Sequence, residues 1–233
     1  MRSATAAWPG ARRFEWQSHP LLLLPQRALW DPQQRLLLLA DLHLGKAEVF
    51  QANGIPVPSD GDHGNLNRVL ALAHGLNPRR LIVLGDLIHH RLGLSVDLRQ
   101  KLQALPELLG CPLELVGGNH DRGSWLEHLP AQPAISCGPL WLSHEPEPPP
   151  AGQLNICGHL HPVALLGNRR ERLRLPCFSY CRQQERLALP AFGALTGGMP
   201  LPSGEQQWAL AEGQVLQLRP DPQPPGRAPR HRG

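Results

Sequence analysis

Short apolar runs recur along the chain, and each is followed by polar and glycine-rich residues. Five such runs begin the segments 35–45, 79–90, 112–121, 139–146 and 154–162. Continuous apolar runs of about four to six residues are typical of strands that are buried on both faces. We therefore predict five buried strands, each ending in a loop that carries polar side chains.

Helical periodicity appears between these strands. Residues 62–78 carry apolar residues at helical spacing and end in a glycine followed by a proline, and residues 95–110 show the same pattern. Residues 123–130 allow a short helical turn, whereas residues 50–58 fit either a wall beside a cleft or a plain connecting loop. Strands that alternate with helices indicate an α/β core.

The chain becomes strand-rich towards its C-terminus. After residue 172, four short apolar runs are joined by glycine and proline turns, which predicts an antiparallel portion that completes the sheets. From residue 219 the composition changes to proline and arginine. We expect one folded domain over residues 1–218 and a disordered tail over residues 219–233.

Composition excludes some classes of protein. The 233 residues are 41% hydrophobic, enough for one well-buried domain. No apolar run approaches the roughly 18 residues of a membrane span, and no signal peptide is recognisable. We expect a cytoplasmic protein without a membrane partner, and the five cysteines, which form no C-x-x-C pair, are expected to be reduced core residues.

The net charge of +4 carries little information about the folded surface. Residues 219–233 hold four arginines and one aspartate, which gives +3 for this segment alone. The folded part is therefore close to neutral, and composition does not identify a nucleic-acid-binding surface.

Nine polar residues follow the five predicted strands, where the ligand sites of α/β sheets gather. They are Asp41, His43, Asp86, Asn119, His120, Asp121, His144, His159 and His161. Burying this set without a cation would leave charge uncompensated. The mixed nitrogen and oxygen donors suit manganese, iron or zinc, and their number is enough for two ions. The D-x-H and H-x-H pairs would point their side chains to one side if the backbone were extended.

The motifs D-x-H, G-D, G-N-H-D, a single histidine and G-H-x-H follow one another from Asp41 to His161. In this order they resemble the calcineurin-like metallophosphoesterase superfamily. The segments ADLHLGKAEVFQANGIPVP, VLGDLIHHR, GNHDRG, ICGHLHP and LPAFGALTGG further resemble the ligase-associated DNA-damage-response endonucleases (PdeM type), over roughly residues 12–218. The resemblance implies an α/β fold in which two mixed β-sheets form a sandwich flanked by helices, in α/β/β/α layers.

The resemblance also implies roles for individual residues. Asp86 would bridge two divalent metal ions, with manganese expected and iron or zinc as alternatives. The remaining ligands would be Asp41, His43 and His161 for the first ion, and Asn119, His144 and His159 for the second. His120 would be the general acid or would stabilise the transition state, and Asp121 would hold its ring in the working tautomer.

Substrate contacts are less constrained by the sequence. Lys46 and Arg122 lie just past metal motifs and would grip phosphates, although solvated surface charges would give the same pattern. His89 would either contact substrate or hydrogen-bond within its loop.

The function implied by the resemblance is metal-assisted hydrolysis of phosphodiesters, as a DNA endonuclease that works beside a DNA ligase and a helicase in bacterial repair. Two alternatives stay open at this point. One is a phosphodiesterase or phosphatase for small molecules such as cyclic nucleotides or nucleotide esters. The other is a metal-bound scaffold in repair without catalytic activity.

Overall fold

Two β-sheets and the helices beside them make up the described structure. A computed structural model describes residues 8–57, 61–121, 126–167, 171–202 and 204–218. Arg122 and the predicted tail 219–233 lie outside these residues. The helices are α1 (Lys46–Ala52), α2 (Gly61–Leu76) and α3 (Val96–Leu109). The strands are β1 (Arg12–Trp16), β2 (His19–Leu24), β3 (Ala28–Asp31), β4 (Leu36–Leu39), β5 (Arg80–Leu84), β6 (Leu113–Val116), β7 (Ala131–Gln132), β8 (Ile135–Cys137), β9 (Leu140–Ser143), β10 (Leu154–Cys157), β11 (Val163–Gly167), β12 (Arg172–Cys181), β13 (Arg186–Ala188), β14 (Gln206–Ala211) and β15 (Gln214–Gln217).

The first sheet contains β1 to β7 in chain order. Strands β1 to β4 are antiparallel neighbours, and β4 to β7 are parallel. Three of the predicted buried strands are therefore adjacent and parallel, so their carboxyl ends lie at one edge of the sheet. The N-terminal meander β1 to β3 was not predicted.

The second sheet has the strand order β15-β14-β12-β13-β10-β9-β8. Strands β9, β10 and β13 are parallel, whereas β12, β14 and β15 pair antiparallel. This confirms the other two predicted buried strands and the antiparallel portion after residue 172. Strand β11 pairs with β12 outside the main path of the sheet.

The side chains of β4 explain why its sequence is a continuous apolar run. Leu36 and Leu38 pack in the core between the two sheets, whereas Leu37 and Leu39 pack against α2 and α3 on the other face. Alternate residues of a strand point to opposite faces, so a strand covered on both sides needs apolar residues throughout. Each such side chain contributes roughly 1.5–3 kcal/mol by its burial.

The predicted helices are confirmed with small shifts of their ends. α3 begins after Ser95, whose hydroxyl accepts a hydrogen bond from the Leu98 amide, and it ends at Gly110 in the left-handed conformation. The helical turn predicted over residues 123–130 is a non-helical turn in its described part, residues 126–130.

The predicted α/β sandwich of two mixed sheets is confirmed, with one difference in its layers. α2 and α3 both pack on the first sheet. Among the described residues, the outer face of the second sheet carries β11, where Ala164 packs with Cys177 and Ala209, in place of the predicted outer helices.

Two expectations from composition, on membrane spans and on the cysteines, can be compared with the structure. Within the described ranges, every helix is too short or too polar to cross a membrane. Four of the five cysteines are buried and the fifth, Cys181, is half-buried, which agrees with their predicted place in the core.

Candidate metal centre

The strands of both sheets deliver the predicted metal ligands to one place. Asp41 and His43 follow β4, Asp86 follows β5 and Asn119 follows β6, whereas His144 follows β9 and the pair His159 and His161 follows β10. The His159 amide donates to the Asp41 carboxylate at 3.0 and 3.2 Å, which ties the second sheet to the first. Another backbone bond, from the Asp41 amide to the Gly85 carbonyl at 3.1 Å, joins adjacent loops.

The backbone at these positions is left-handed and not extended. The φ angles are 55° at Asp41, 48° at His43, 51° at Asp86, 61° at His159 and 42° at His161. The prediction that extended D-x-H and H-x-H segments direct their side chains to one side is therefore wrong in its geometry. The side chains converge because each loop turns sharply where its strand has ended.

The first cluster contains Asp41, His43 and His161. One potential ligand atom from each lies within 4.8 Å of the other two, and Nε2 of His161 is 3.1 Å from Oδ1 of Asp41. The Nε2 atoms of both histidines are buried and have no hydrogen-bond partner among the described residues. Because buried polar atoms are normally paired, these two nitrogens are suited to a cation held with the Asp41 carboxylate.

The ring of His43 is electrically neutral near neutral pH. Burial, and to a smaller extent His161, lowers the pKa of His43 to about 2. Neutral imidazole is the form that binds a metal, so this histidine needs no deprotonation before binding.

The second cluster contains Asn119, His144 and His159. Nδ1–H of His144 donates to the Leu84 carbonyl at 3.0 Å, which leaves the lone pair of Nε2 facing Oδ1 of Asn119 at 2.9 Å. Nδ1 of His159 is 3.2 Å from the same Nε2. Two facing acceptor atoms, here Nε2 of His144 and Oδ1 of Asn119, are favourable when a cation lies between them, and a backbone bond that fixes the tautomer is typical of a metal-binding histidine.

Asp86 lies between the two clusters. Its Oδ2 is 3.6 Å from Nε2 of His43, and its Oδ1 is 3.6 Å from Nε2 of His144. The residue is only 2% exposed, and Oδ1 also accepts a hydrogen bond from the His120 amide at 2.9 Å. A buried carboxylate that reaches both clusters fits the bridging position of a two-ion site, so the residues present fit the cofactor implied by their chemistry.

His120 lies beside Asp86 and presents one ring nitrogen to the centre. Its Nδ1–H donates to the His89 carbonyl at 2.7 Å, and its Nε2 is 4.0 Å from Oδ2 of Asp86. The side chain is 36% exposed. Nε2 is therefore free to meet a ligand that enters from solvent.

The contacts of Asp121 correct the prediction that it orients His120. Its two carboxylate oxygens accept hydrogen bonds from the Ile88 amide at 3.3 Å and the Gly118 amide at 3.0 Å. Asp121 thus joins the loops after β5 and β6, and the carbonyl of His89 orients the ring of His120. Burial raises the pKa of Asp121, with partial compensation by these amides.

Of the predicted substrate contacts, His89 and Lys46 lie near the centre. The His89 ring stacks on that of His120, with centroids 5.0 Å apart and planes inclined by 25°. Burial, followed by the charge of Lys46, lowers the pKa of His89 to about 4. Phe50, which no sequence motif marks as functional, lies edge-on to His89, with ring centroids 6.4 Å apart.

Comparisons with known proteins define the family. The sequence profile of the calcineurin-like phosphoesterases matches residues 34–175, more than half of the chain. The protein therefore belongs to the calcineurin-like phosphoesterase family, as the motifs predicted. Among curated proteins the comparison found no match.

Two solved structures were also found to be similar. The Pseudomonas putida nuclease MPE is 31% identical, with 89% of this chain and 100% of that chain covered and a TM-score of 0.73. A Vps29 single mutant from Entamoeba histolytica is 15% identical, with 78% of this chain and 96% of that chain covered and a TM-score of 0.36.

Proposed function

We propose that the protein is a phosphodiesterase with two divalent metal ions, expected to be manganese, that cleaves DNA as an endonuclease. The observation that carries this proposal is the convergence of two unpaired buried imidazole nitrogens and two buried carboxylates in one pocket. The similarity to a nuclease over nearly the whole chain supports nucleic acid as the substrate.

Seven side chains would hold the ions. In this proposal Asp86 bridges them, with three further ligands on each side: Asp41, His43 and His161, and Asn119, His144 and His159. When bound, the two ions supply Lewis acidity, which lowers the pKa of water and neutralises charge on the phosphate.

His120 would act on the leaving group. Its Nδ1–H is committed to the His89 carbonyl, so a proton on Nε2 is the one available for transfer. Donation of that proton to the departing oxygen of a phosphodiester typically contributes about 10²–10⁴-fold to the rate. His89, stacked on the ring, would restrict its rotation.

The proposal extends to cellular context through the resemblance of the motifs alone. A cytoplasmic protein that works beside a DNA ligase and a helicase in bacterial repair is consistent with the PdeM-type segments. A gene neighbourhood that contains both enzymes would support this part, and their absence from it would count against it.

A substrate comparison tests the central proposal. Protein stripped with a chelator and reloaded with manganese is incubated with single-stranded DNA, plasmid DNA and bis(p-nitrophenyl) phosphate. We expect hydrolysis of DNA and of the ester, and loss of both activities in chelator. Hydrolysis of the ester alone would favour a small-molecule phosphodiesterase, and no hydrolysis by protein that contains two ions would favour a non-catalytic scaffold.

His120→Ala separates chemistry from metal binding. Because p-nitrophenolate departs without a proton, this variant should keep its metal content and most of its ester hydrolysis while DNA cleavage falls by about 10²–10⁴-fold. His128→Ala, which changes an exposed histidine outside the pocket, is the matched control. Equal losses on both substrates would argue against a general acid.

A further inference from the structure

Helix α1 begins three residues after His43 of the metal centre, and backbone contacts hold its first residues. Gly45 has a φ of 77°, and a Cβ added to it would lie 2.5 Å from the Gly93 carbonyl oxygen, so the two backbones are in direct contact. The Gly45 amide also donates to Oδ2 of Asp62 at 2.6 Å. The position of α1 relative to the centre is therefore defined by backbone contacts.

Lys46 and Phe50 are one turn apart on this helix and lie together. Nζ of Lys46 is 5.6 Å from the centroid of the Phe50 ring. Phe50 contacts His89, which in turn stacks on His120. A continuous row of rings thus leads from the metal centre to the side of α1.

Apart from each other and the ring of His89, the described residues offer these two side chains neither an apolar cluster nor an ion-pair partner. Phe50 is only partly buried and belongs to none of the apolar clusters found among the described residues. Within the same residues, no carboxylate lies within ion-pair distance of Lys46, whose charge lowers the pKa of His43 and His89. An unpaired cation beside a site for two further cations is unfavourable until an anion is bound there.

The side of the centre next to Asn119 and His144 is acidic. A cavity of about 900 Å³ adjoins Asn119 and His144, and its lining includes Glu127, Glu145 and Glu147. Three acidic residues disfavour a phosphate backbone there, whereas the ammonium of Lys46 attracts a phosphate oxygen.

We propose that Lys46 and Phe50 form a nucleotide subsite beside the scissile phosphate. The ring of Phe50 stacks on the nucleobase next to the cleaved bond, and the ammonium of Lys46 pairs with a phosphate oxygen. The inference rests on the proposed function and adds to it a recognition element for the nucleoside.

Three chromogenic substrates that share one leaving group test this subsite. Thymidine 5′- and 3′-(p-nitrophenyl phosphate) carry a base, and methyl p-nitrophenyl phosphate does not. The wild type is expected to prefer at least one thymidine ester in kcat/KM, and Phe50→Ala to lower that preference by about tenfold. Phe50→Trp should retain the preference, and Lys46→Met should lower kcat/KM for all three esters.

Controls distinguish recognition from damage to the fold. Ile55→Ala removes an exposed apolar side chain just after α1 and should leave the preference unchanged. Manganese content and melting temperature of each variant are measured alongside.

Different results would overturn the nucleotide subsite and the phosphodiesterase activity on which it rests. Absence of a thymidine preference in the wild type, an unchanged preference in Phe50→Ala, or loss of manganese from Phe50→Ala would overturn the subsite and leave the phosphodiesterase proposal intact. Wild-type protein that contains manganese and hydrolyses none of the esters would overturn the phosphodiesterase proposal itself.

Discussion

Gly118→Ala is expected to displace the carboxylate of Asp86 from its position between the two clusters, although none of the expected metal ligands is itself substituted. A Cβ added to Gly118 would lie 2.2 Å from Oδ1 of Asp86 and 2.4 Å from the Asp86 backbone nitrogen. Relief of this overlap requires the carboxylate or its loop to move by roughly 1 Å, whereas metal sites tolerate about 0.2 Å in ligand distance. We therefore expect loss of at least one ion and of phosphoester hydrolysis.

The overlap should also lower stability, and a second glycine provides the control. Overpacking typically costs about 1–3 kcal/mol, which corresponds to a fall of about 2–12 °C in Tm for a chain of this size. Gly64 in α2 has no atom within 4 Å of an added Cβ. Gly64→Ala should therefore keep both ions and gain about 0.5–1 kcal/mol from reduced chain entropy.

The assay combines manganese content after dialysis, hydrolysis of bis(p-nitrophenyl) phosphate, and thermal unfolding. Gly118→Ala protein with two ions and the turnover of the wild type would refute the reasoning. In that event either Asp86 is not a ligand or the loop after β6 does not press against it.

Three further predictions concern the whole protein. Manganese at about 100 times its dissociation constant should stabilise the fold by about 2.7 kcal/mol and raise Tm by about 5–10 °C, reversibly with chelator; an unchanged Tm in a scanning-fluorimetry experiment would contradict a site that exists only in the folded state. Burial raises the pKa of Asp62 from 3.8 to about 6, so the stability that its protonation contributes is present below about pH 3.8 and is lost as the pH rises through about 6. Metal-free Asp62→Asn should accordingly melt above the wild type at about pH 7.5 but not at about pH 4, and a difference independent of pH would count against this reasoning. Burial raises the pKa of the four buried cysteine thiols, so a thiol reagent should modify only Cys181 rapidly in folded protein and all five after unfolding; rapid reaction of a second thiol would show that the core is open.

The strands that carry the site could be predicted because burial on both faces leaves a simple sequence pattern. β4, β5 and β10 are fully or almost fully buried along their length, so their apolar runs are uninterrupted. Helix α1 has the opposite character, since Ala47 is its only fully buried residue. Without a buried face it has no apolar periodicity, so the sequence of residues 50–58 fits a wall beside a cleft and a plain loop equally well.

The convergence of these residues in one place could be predicted from motif order, but not the contacts that orient them. The ring of His120 is held by a backbone carbonyl 31 residues earlier in the chain. Any residue supplies a carbonyl, so this contact leaves no trace in residue type. The sequence favours Asp121 as the residue that orients His120, because the two are adjacent in the chain. In the structure the Asp121 carboxylate instead accepts hydrogen bonds from the loops after β5 and β6.

Left-handed backbone angles recur at the expected metal ligands. Five of the seven expected metal ligands have left-handed backbone angles, a conformation that is uncommon for residues other than glycine. Each such residue costs on the order of 1–3 kcal/mol, so together they store several kcal/mol that a purely structural loop could avoid with glycine. Three of the five are histidines, which lack any advantage over glycine as turn formers but supply nitrogen ligands. A bound cation would account for the unpaired nitrogens and would offset part of the free-energy cost of these turns.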